Sequence, residues 1–180
     1  MEAQVLESET VYRGRSLSVR RDLVLLPGGQ TTSLDVVVHA GAVTLVPVDE
    51  EGFVWFVRQY RHSVSAVLLE LPAGTLEPGE PPEECAAREC REEIGMAPQR
   101  LEHLGEGFLA PGYSTEYMHF FLATSLVRAP LSADSDEQIT VERFHRDEIP
   151  SLISAGRLRD VKSMAALHLA GTRLAVPPPP

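Results

Sequence analysis

The sequence predicts an α/β fold organised around one principal domain. Three observations carry this. Most apolar segments are short and end at turn residues, which is strand behaviour. One stretch, around residues 83–94, instead spaces its apolar residues by four and is flanked by helix start and stop signals. A chain of 180 residues that is 43% hydrophobic and 23% charged can bury one full core and is too short for two large ones.

The elements follow in order. Residues 17–26 alternate loosely, Pro27-Gly28-Gly29-Gln30 is a turn, and the β-branched run 34–38 should pair back across it. Residues 42–48 are apolar, Asp49-Glu50-Glu51-Gly52 is a turn, and 53–60 is a strand, together a hairpin pattern. A short apolar run at 68–72 ends in Ala73-Gly74. Pro78 and Gly79 break the chain, Pro81-Pro82 suit a first helical turn, and Glu83-Glu84 complement the positive helix end. Ala86, Cys90 and Ile94 form a narrow core-facing stripe, and Gly95 is placed to stop the helix. Strands recur at 101–108, 117–126 and 139–144. Short helices are expected at 147–154 and 161–170, with Gly156 and Gly171 as stops. The proline run at the end can be neither helix nor central strand and reads as a mobile extended tail. The predicted division is 1–41 as an N-terminal sheet region, 42–172 as the main domain and 173–180 as the tail.

Several function classes are excluded at this level. A formal net charge of −10 disfavours binding to nucleic-acid phosphates. No run of 18 apolar residues exists to span a membrane, and Met1-Glu2-Ala3-Gln4 lacks the features of a secretory signal. Cys85 and Cys90 would lie on different faces of a helix, so a disulfide is not expected and a reducing cytoplasm fits. His39, His62, His103, His119, His145 and His168 show no metal-ligand spacing and read as structural. Ser63, Ser65 and Ser114 have no triad context.

The acidity is concentrated. Glu77, Glu80, Glu83, Glu84, Glu89, Glu92 and Glu93 are opposed only by Arg88 and Arg91, a local balance of −5. Glu89 and Glu93 share a helix face and Glu92 flanks it. Like charges at this spacing repel, so a counter-charge is required. Converging carboxylates suit a hard divalent cation, Mg²⁺ or Mn²⁺. The charge alone favours a solvated helix face.

The order of residues decides. Gly74, then Glu80, then Arg88-Glu89-Cys90-Arg91-Glu92-Glu93-Ile94-Gly95-Met96 resembles the Nudix box at every fixed position. A chance match in a chain of this length is on the order of one in a million. Cys90 and Met96 stand where that family usually has Ile, Leu or Val. Gly74 is expected to let the backbone turn tightly before the loop. The resemblance implies an α/β/α sandwich with a mixed sheet, plus a small N-terminal antiparallel sheet. It also implies Glu89 and Glu93 as main metal ligands, assisted by Glu92 and the Ala73 carbonyl, with Glu80 and Arg88 as structural supports.

Outside the box the chain resembles the ADP-ribose pyrophosphatases of that family from about residue 12 to 170. The residues that carry this are Tyr12-Arg13-Gly14, His39-Ala40-Gly41-Ala42-Val43, Arg58-Gln59-Tyr60-Arg61 and Leu69-Glu70-Leu71-Pro72-Ala73-Gly74. Pro111, sixteen residues past Gly95, is a mark of that branch, and Gly112 follows it. The implied reaction is hydrolysis of ADP-ribose to AMP and ribose 5-phosphate. GDP-mannose, a dinucleoside polyphosphate, or non-catalytic sensing are the alternatives. Arg61, Glu70, Pro111 and Gly112 are implied substrate-binding residues, although Arg61 could equally be ion-paired to Glu70. Glu92, Glu93 and Glu137 are the implied catalytic acids. The resemblance puts Glu137 at a metal-ligand position and Ser135 at the base position. Asp134, Asp136, Glu137 or Glu116 serves as base, or the alignment slips by one, and Glu137 is the expected key acid of the loop. Leu34 replaces an arginine that related enzymes often carry, with Arg20 or Arg21 as substitutes. A homodimer exchanging its N-terminal sheets is likewise implied.

Overall fold

The protein is described by a computed structural model covering residues 2–132 and 138–175. It has a mixed α/β fold that divides into two compact units. One comprises Met1–Gly41 with Gly107–Met118, the other Ala42–Glu106 with His119–Pro180.

The first unit is built on an antiparallel sheet in the order β1-β2-β3: β1 (Gln4–Arg13), β2 (Ser18–Leu25) and β3 (Thr31–Val38). The predicted turn joins β2 to β3. Gly29 adopts φ +82°, where glycine carries no Cβ penalty, and the Gly29 N–H donates to the Leu26 carbonyl at 2.9 Å. Leu23 lies opposite Ser33 and Leu25 opposite Thr31. Asp22 is buried and accepts from Ser8 Oγ at 2.6 Å and Arg20 Nε at 2.9 Å, which pins β1 to β2. The loop after residue 109 docks on the end of β3. The Val37 N–H donates to the Tyr113 carbonyl at 2.8 Å, and the Thr115 N–H to the Val37 carbonyl at 2.9 Å.

In the second unit β4 (Ala42–Pro47) is buried at every position. It lies within a four-stranded sheet ordered β7-β4-β9-β8, with β7 (Ala73–Thr75), β8 (Met96–Phe108) and β9 (Tyr117–Arg128). A second sheet is ordered β10-β5-β6, from β5 (Phe53–Arg61), β6 (Ala66–Glu70) and β10 (Ile139–His145). The hairpin expected across Asp49–Gly52 is therefore not one. The turn exists, held by the Asp49 carboxylate accepting from Phe53 N–H at 2.9 Å and Trp55 Nε1 at 3.0 Å. The strands on either side enter different sheets and share only a bridge between Val48 and Val54. A strand buried on both faces needs covering layers, and a simple hairpin does not supply them.

Among the described residues this unit carries three α-helices, α1 (Pro82–Glu93), α2 (Ile149–Ser154) and α3 (Val161–Ala170). Gly95 follows α1 at φ +71° as its stop. Ala86, Cys90 and Ile94 do face the core, joined by Cys85, against Val43 and Leu45 of β4 and Phe121 and Ala123 of β9. Both cysteines are free thiols. The α3 helix is capped by Asp160, whose Oδ2 accepts from the Ser163 N–H at 3.1 Å. Two predicted features, the Asp134–Glu137 loop acids and the proline run 176–180, lie outside the described residues.

Candidate active site

The site begins where β7 meets α1. Glu89 and Glu93, one helical turn apart, are 8% and 6% exposed, which is rare for carboxylates without partners. Glu93 Oε2 accepts from the Ala73 N–H at 3.0 Å, so the helix end is tied to the strand that carries Gly74. Gly74 sits inside β7 and its φ is not positive, so the tight turn expected of it is not its role. A Cβ at this position would lie 1.8 Å from Glu89 Oε1 and 1.9 Å from its Cδ. The absent side chain is the space the Glu89 carboxylate fills.

Arg88 answers the charge problem of the helix. Its Nε and Nη2 grip Glu80 at 2.8 and 2.9 Å, and Nη1 reaches Glu89 Oε1 at 2.6 Å and Glu92 Oε2 at 2.9 Å. Glu80 Oε2 also accepts from the Glu77 N–H at 3.0 Å, folding the loop back on the helix. Hydrogen bonding to Arg88, against the opposing effect of burial, holds the Glu80 carboxyl at about 2. Hydrogen bonding to Glu80 likewise raises the Arg88 guanidinium. The two predicted supports are thus one fork-to-fork pair. Burial pushes the Cys85 thiol up, and burial together with nearby Glu93 pushes Cys90 up to about 12.

Beside this cluster, Arg61 binds Glu70 through both carboxylate oxygens at 2.8 Å. Glu70 is 1% exposed and holds Arg61 in a fixed orientation. Lys162 also bonds Glu70 and reaches Asp160 Oδ2 at 2.9 Å. Burial opposes the Glu70 charge, but Arg61 and Lys162 outweigh it and the carboxyl is lowered. Arg61 is raised by its bond to Glu70, with Glu93 and Asp160 adding to the effect, so it lies within the field of the glutamate site. Asp160 and Lys162 lie at the start of α3, and nothing in that segment's sequence alone marks the pairing of Lys162 with Glu70 and Asp160. Pro111 and Gly112 are exposed and belong to the first unit, and a Cβ at Gly112 would meet nothing within 4 Å. Glu137 lies outside the described residues.

Whether these residues suit a divalent cation is tested by the donor set. Glu89, Glu92 and Glu93 offer only hard oxygen donors, and Gly74 leaves room for one carboxylate against the strand. Arg88 already places positive charge between two of them. The set fits an oxygen-preferring dication.

The Nudix domain family model matches residues 38–167. The chain belongs to the Nudix family. Among its relatives, an ADP-ribose pyrophosphatase of Mycobacterium tuberculosis is 36% identical, over 98% of this chain and 88% of that protein. A methanol dehydrogenase activator of Bacillus methanolicus is 33% identical over 93% of this chain and 91% of its own. A crystal structure of an ADP compounds hydrolase superposes with a TM-score of 0.87 at 24% identity, covering 97% of this chain and 95% of that one. This likeness shows that the two chains share a fold. No helix among the described residues is long and apolar enough to cross a membrane.

Proposed function

We propose that this Nudix protein is a Mg²⁺-dependent pyrophosphatase that hydrolyses ADP-ribose, or a related ADP-sugar, to AMP and ribose 5-phosphate. The observation that carries the proposal is the packing of the Glu89 carboxylate into the space left by Gly74, with Glu93 tied to Ala73 beside it. The substrate class is supported by the relative named ADP-ribose pyrophosphatase, which aligns along 98% of this chain.

Glu89 and Glu93 would hold the metal, with Glu92 and the Ala73 carbonyl assisting, and Mn²⁺ is an acceptable replacement. A bound dication supplies charge neutralisation at the diphosphate and a more acidic water. The chain's own residues do the rest. Arg88 holds Glu89 and Glu92 in place, with Glu80 fixing Arg88. Arg61 commits Nε and Nη2 to Glu70, which aims a preorganised guanidinium at a substrate phosphate. Glu137 is the proposed general base.

A homodimer formed through the N-terminal sheet belongs to the same proposal. Every residue of β1 is exposed, including Val5, Leu6, Val11 and Tyr12. A three-stranded sheet with so little cover is marginal alone. The free buried thiols are in keeping with a cytoplasmic protein, and no nucleic-acid or membrane partner enters the reading.

The test is product analysis on a substrate panel of ADP-ribose, GDP-mannose and a dinucleoside polyphosphate, with and without Mg²⁺. The expected result is AMP and ribose 5-phosphate from ADP-ribose, only when metal is present, with ADP-ribose among the best substrates by kcat/KM. Metal-dependent turnover of another substrate alone would reassign the specificity. Binding with no turnover of any would make the protein a sensor.

A further inference from the structure

Among the described residues, His103, Glu106 and His119 each offer one ligand atom, and these three atoms lie within 4.8 Å of one another. We propose that these three form a second metal site, on β8 and β9, selective for Zn²⁺ or a similar borderline dication.

The geometry is cross-strand. His119 Nδ1 lies 3.0 Å from Glu106 Oε2, and His103 Nε2 lies 3.7 Å from the same oxygen. Two ligands at about 2.1 Å from a tetrahedral Zn²⁺ stand roughly 3.4 Å apart, so these separations need only small side-chain adjustments. Imidazole nitrogen with one carboxylate suits Zn²⁺ better than Mg²⁺, which takes oxygen. This donor set is therefore complementary to that of Glu89, Glu92 and Glu93, and the two sites should sort metals by softness.

Local structure shows why the three converge. His103 and Glu106 are an odd number of positions apart, so a regular strand would send them to opposite faces. Gly105, at φ +153°, breaks the alternation between them. The change shows in burial as well, since Leu104 and Gly105 are both partly covered while His103 and Glu106 are both exposed. His119 approaches from the neighbouring strand. The His103 ring packs edge-on against Phe121, at 5.4 Å between centroids, and Phe121 is a core residue two positions from His119. That contact anchors one ligand to the core. The ligands lie on β8, at the edge of its sheet, and on the next strand in, so a metal held there keeps a position open to solvent.

The experiment uses the full chain, stripped with chelator and returned to excess Mg²⁺ so that the glutamates are supplied with their own cation. Zn²⁺ is then titrated by calorimetry. The expected result is one tight Zn²⁺ per chain, weakened about tenfold or more in each of His103→Gln, His119→Gln and Glu106→Gln, and unchanged in His168→Gln. Zn²⁺ should also raise the Tm of the parent protein and not of the three variants. As a readout that needs no variant, Co²⁺ added in excess Mg²⁺ should broaden the ring NMR signals of two histidines first. The proposal is overturned if no Zn²⁺ binds in excess Mg²⁺. It is equally overturned if binding survives in the folded His103→Gln and His119→Gln proteins, or if Co²⁺ broadens no histidine pair selectively.

Discussion

At the scale of single residues, Gly74 shows how an invisible atom defines a site. Its backbone lies in β7 at an ordinary strand conformation, so alanine would be tolerated there by the main chain. The obstacle is Glu89, whose carboxylate carbon would stand 1.9 Å from the added methyl. Gly74→Ala must therefore push Glu89 out of place while leaving the strand intact. Displacements of about 1 Å at such sites cost on the order of a hundredfold in rate. The expected outcome is a kcat loss of that size for Gly74→Ala, with the Tm little changed. In a Glu89→Ala background the methyl has nothing to strike, so adding Gly74→Ala should cost little more. A double-mutant cycle on kcat reads this coupling. Additive losses would mean that Gly74 acts through something other than Glu89.

At the scale of elements, the loop before α1 and the helix are one electrostatic unit, closed by Glu80 and Arg88. The Glu80 carboxyl is held at about 2, against an ordinary value of 4.5. A depressed carboxyl contributes stability that is complete above 4.5 and is lost as pH falls toward 2. Denaturation in urea at a series of pH values should thus show a steeper loss below pH 4.5 in the parent than in Glu80→Gln, with the two curves converging near pH 2. Parallel curves would place the acid sensitivity elsewhere. The same helix was the most legible element in the sequence, since Pro82, the Ala86-Cys90-Ile94 stripe and Gly95 each act locally. Its carboxylate cluster was legible through the order of residues. What escaped was set by tertiary context. The first forty residues read as β, but β1 (Gln4–Arg13) has all ten residues exposed, so no burial alternation marks its bounds. β8 starts at Met96, five residues before the apolar pattern, because an edge strand tolerates Pro98. The partners of β4 depend on sheet order, which a turn such as Asp49–Gly52 does not encode. The His103, Glu106 and His119 cluster needs a cross-strand approach and the irregular Gly105, and neither leaves a spacing to find.

At the scale of the molecule, the net charge of −10 sets a condition on function. Half of it lies between Glu77 and Glu93, the stretch that forms the proposed site, while the proposed substrate is itself a diphosphate anion. Arg88 offsets part of this charge locally but is committed to Glu80, Glu89 and Glu92. Arg61 is committed to Glu70 through two of its nitrogens. Arg61 can hold a phosphate, but with its Glu70 pairing it does not by itself offset the surrounding carboxylates' repulsion of a diphosphate. Two like charges about 4 Å apart repel by roughly 4 kcal/mol in a partly screened site, enough to change affinity on the order of a thousandfold. Diphosphate binding must therefore be linked to cation binding, each raising the affinity of the other by the same factor. A methylene-bridged analogue of ADP-ribose, which resists hydrolysis, separates this linkage from catalysis. Calorimetry should find it binding at least a hundredfold more tightly in Mg²⁺ than after chelation. Reciprocally, Mg²⁺ should bind more tightly by that factor when the analogue is present. Analogue affinity that ignores the metal would show that the acidic stretch lies away from the diphosphate, and the site would have to be sought around Arg61 alone.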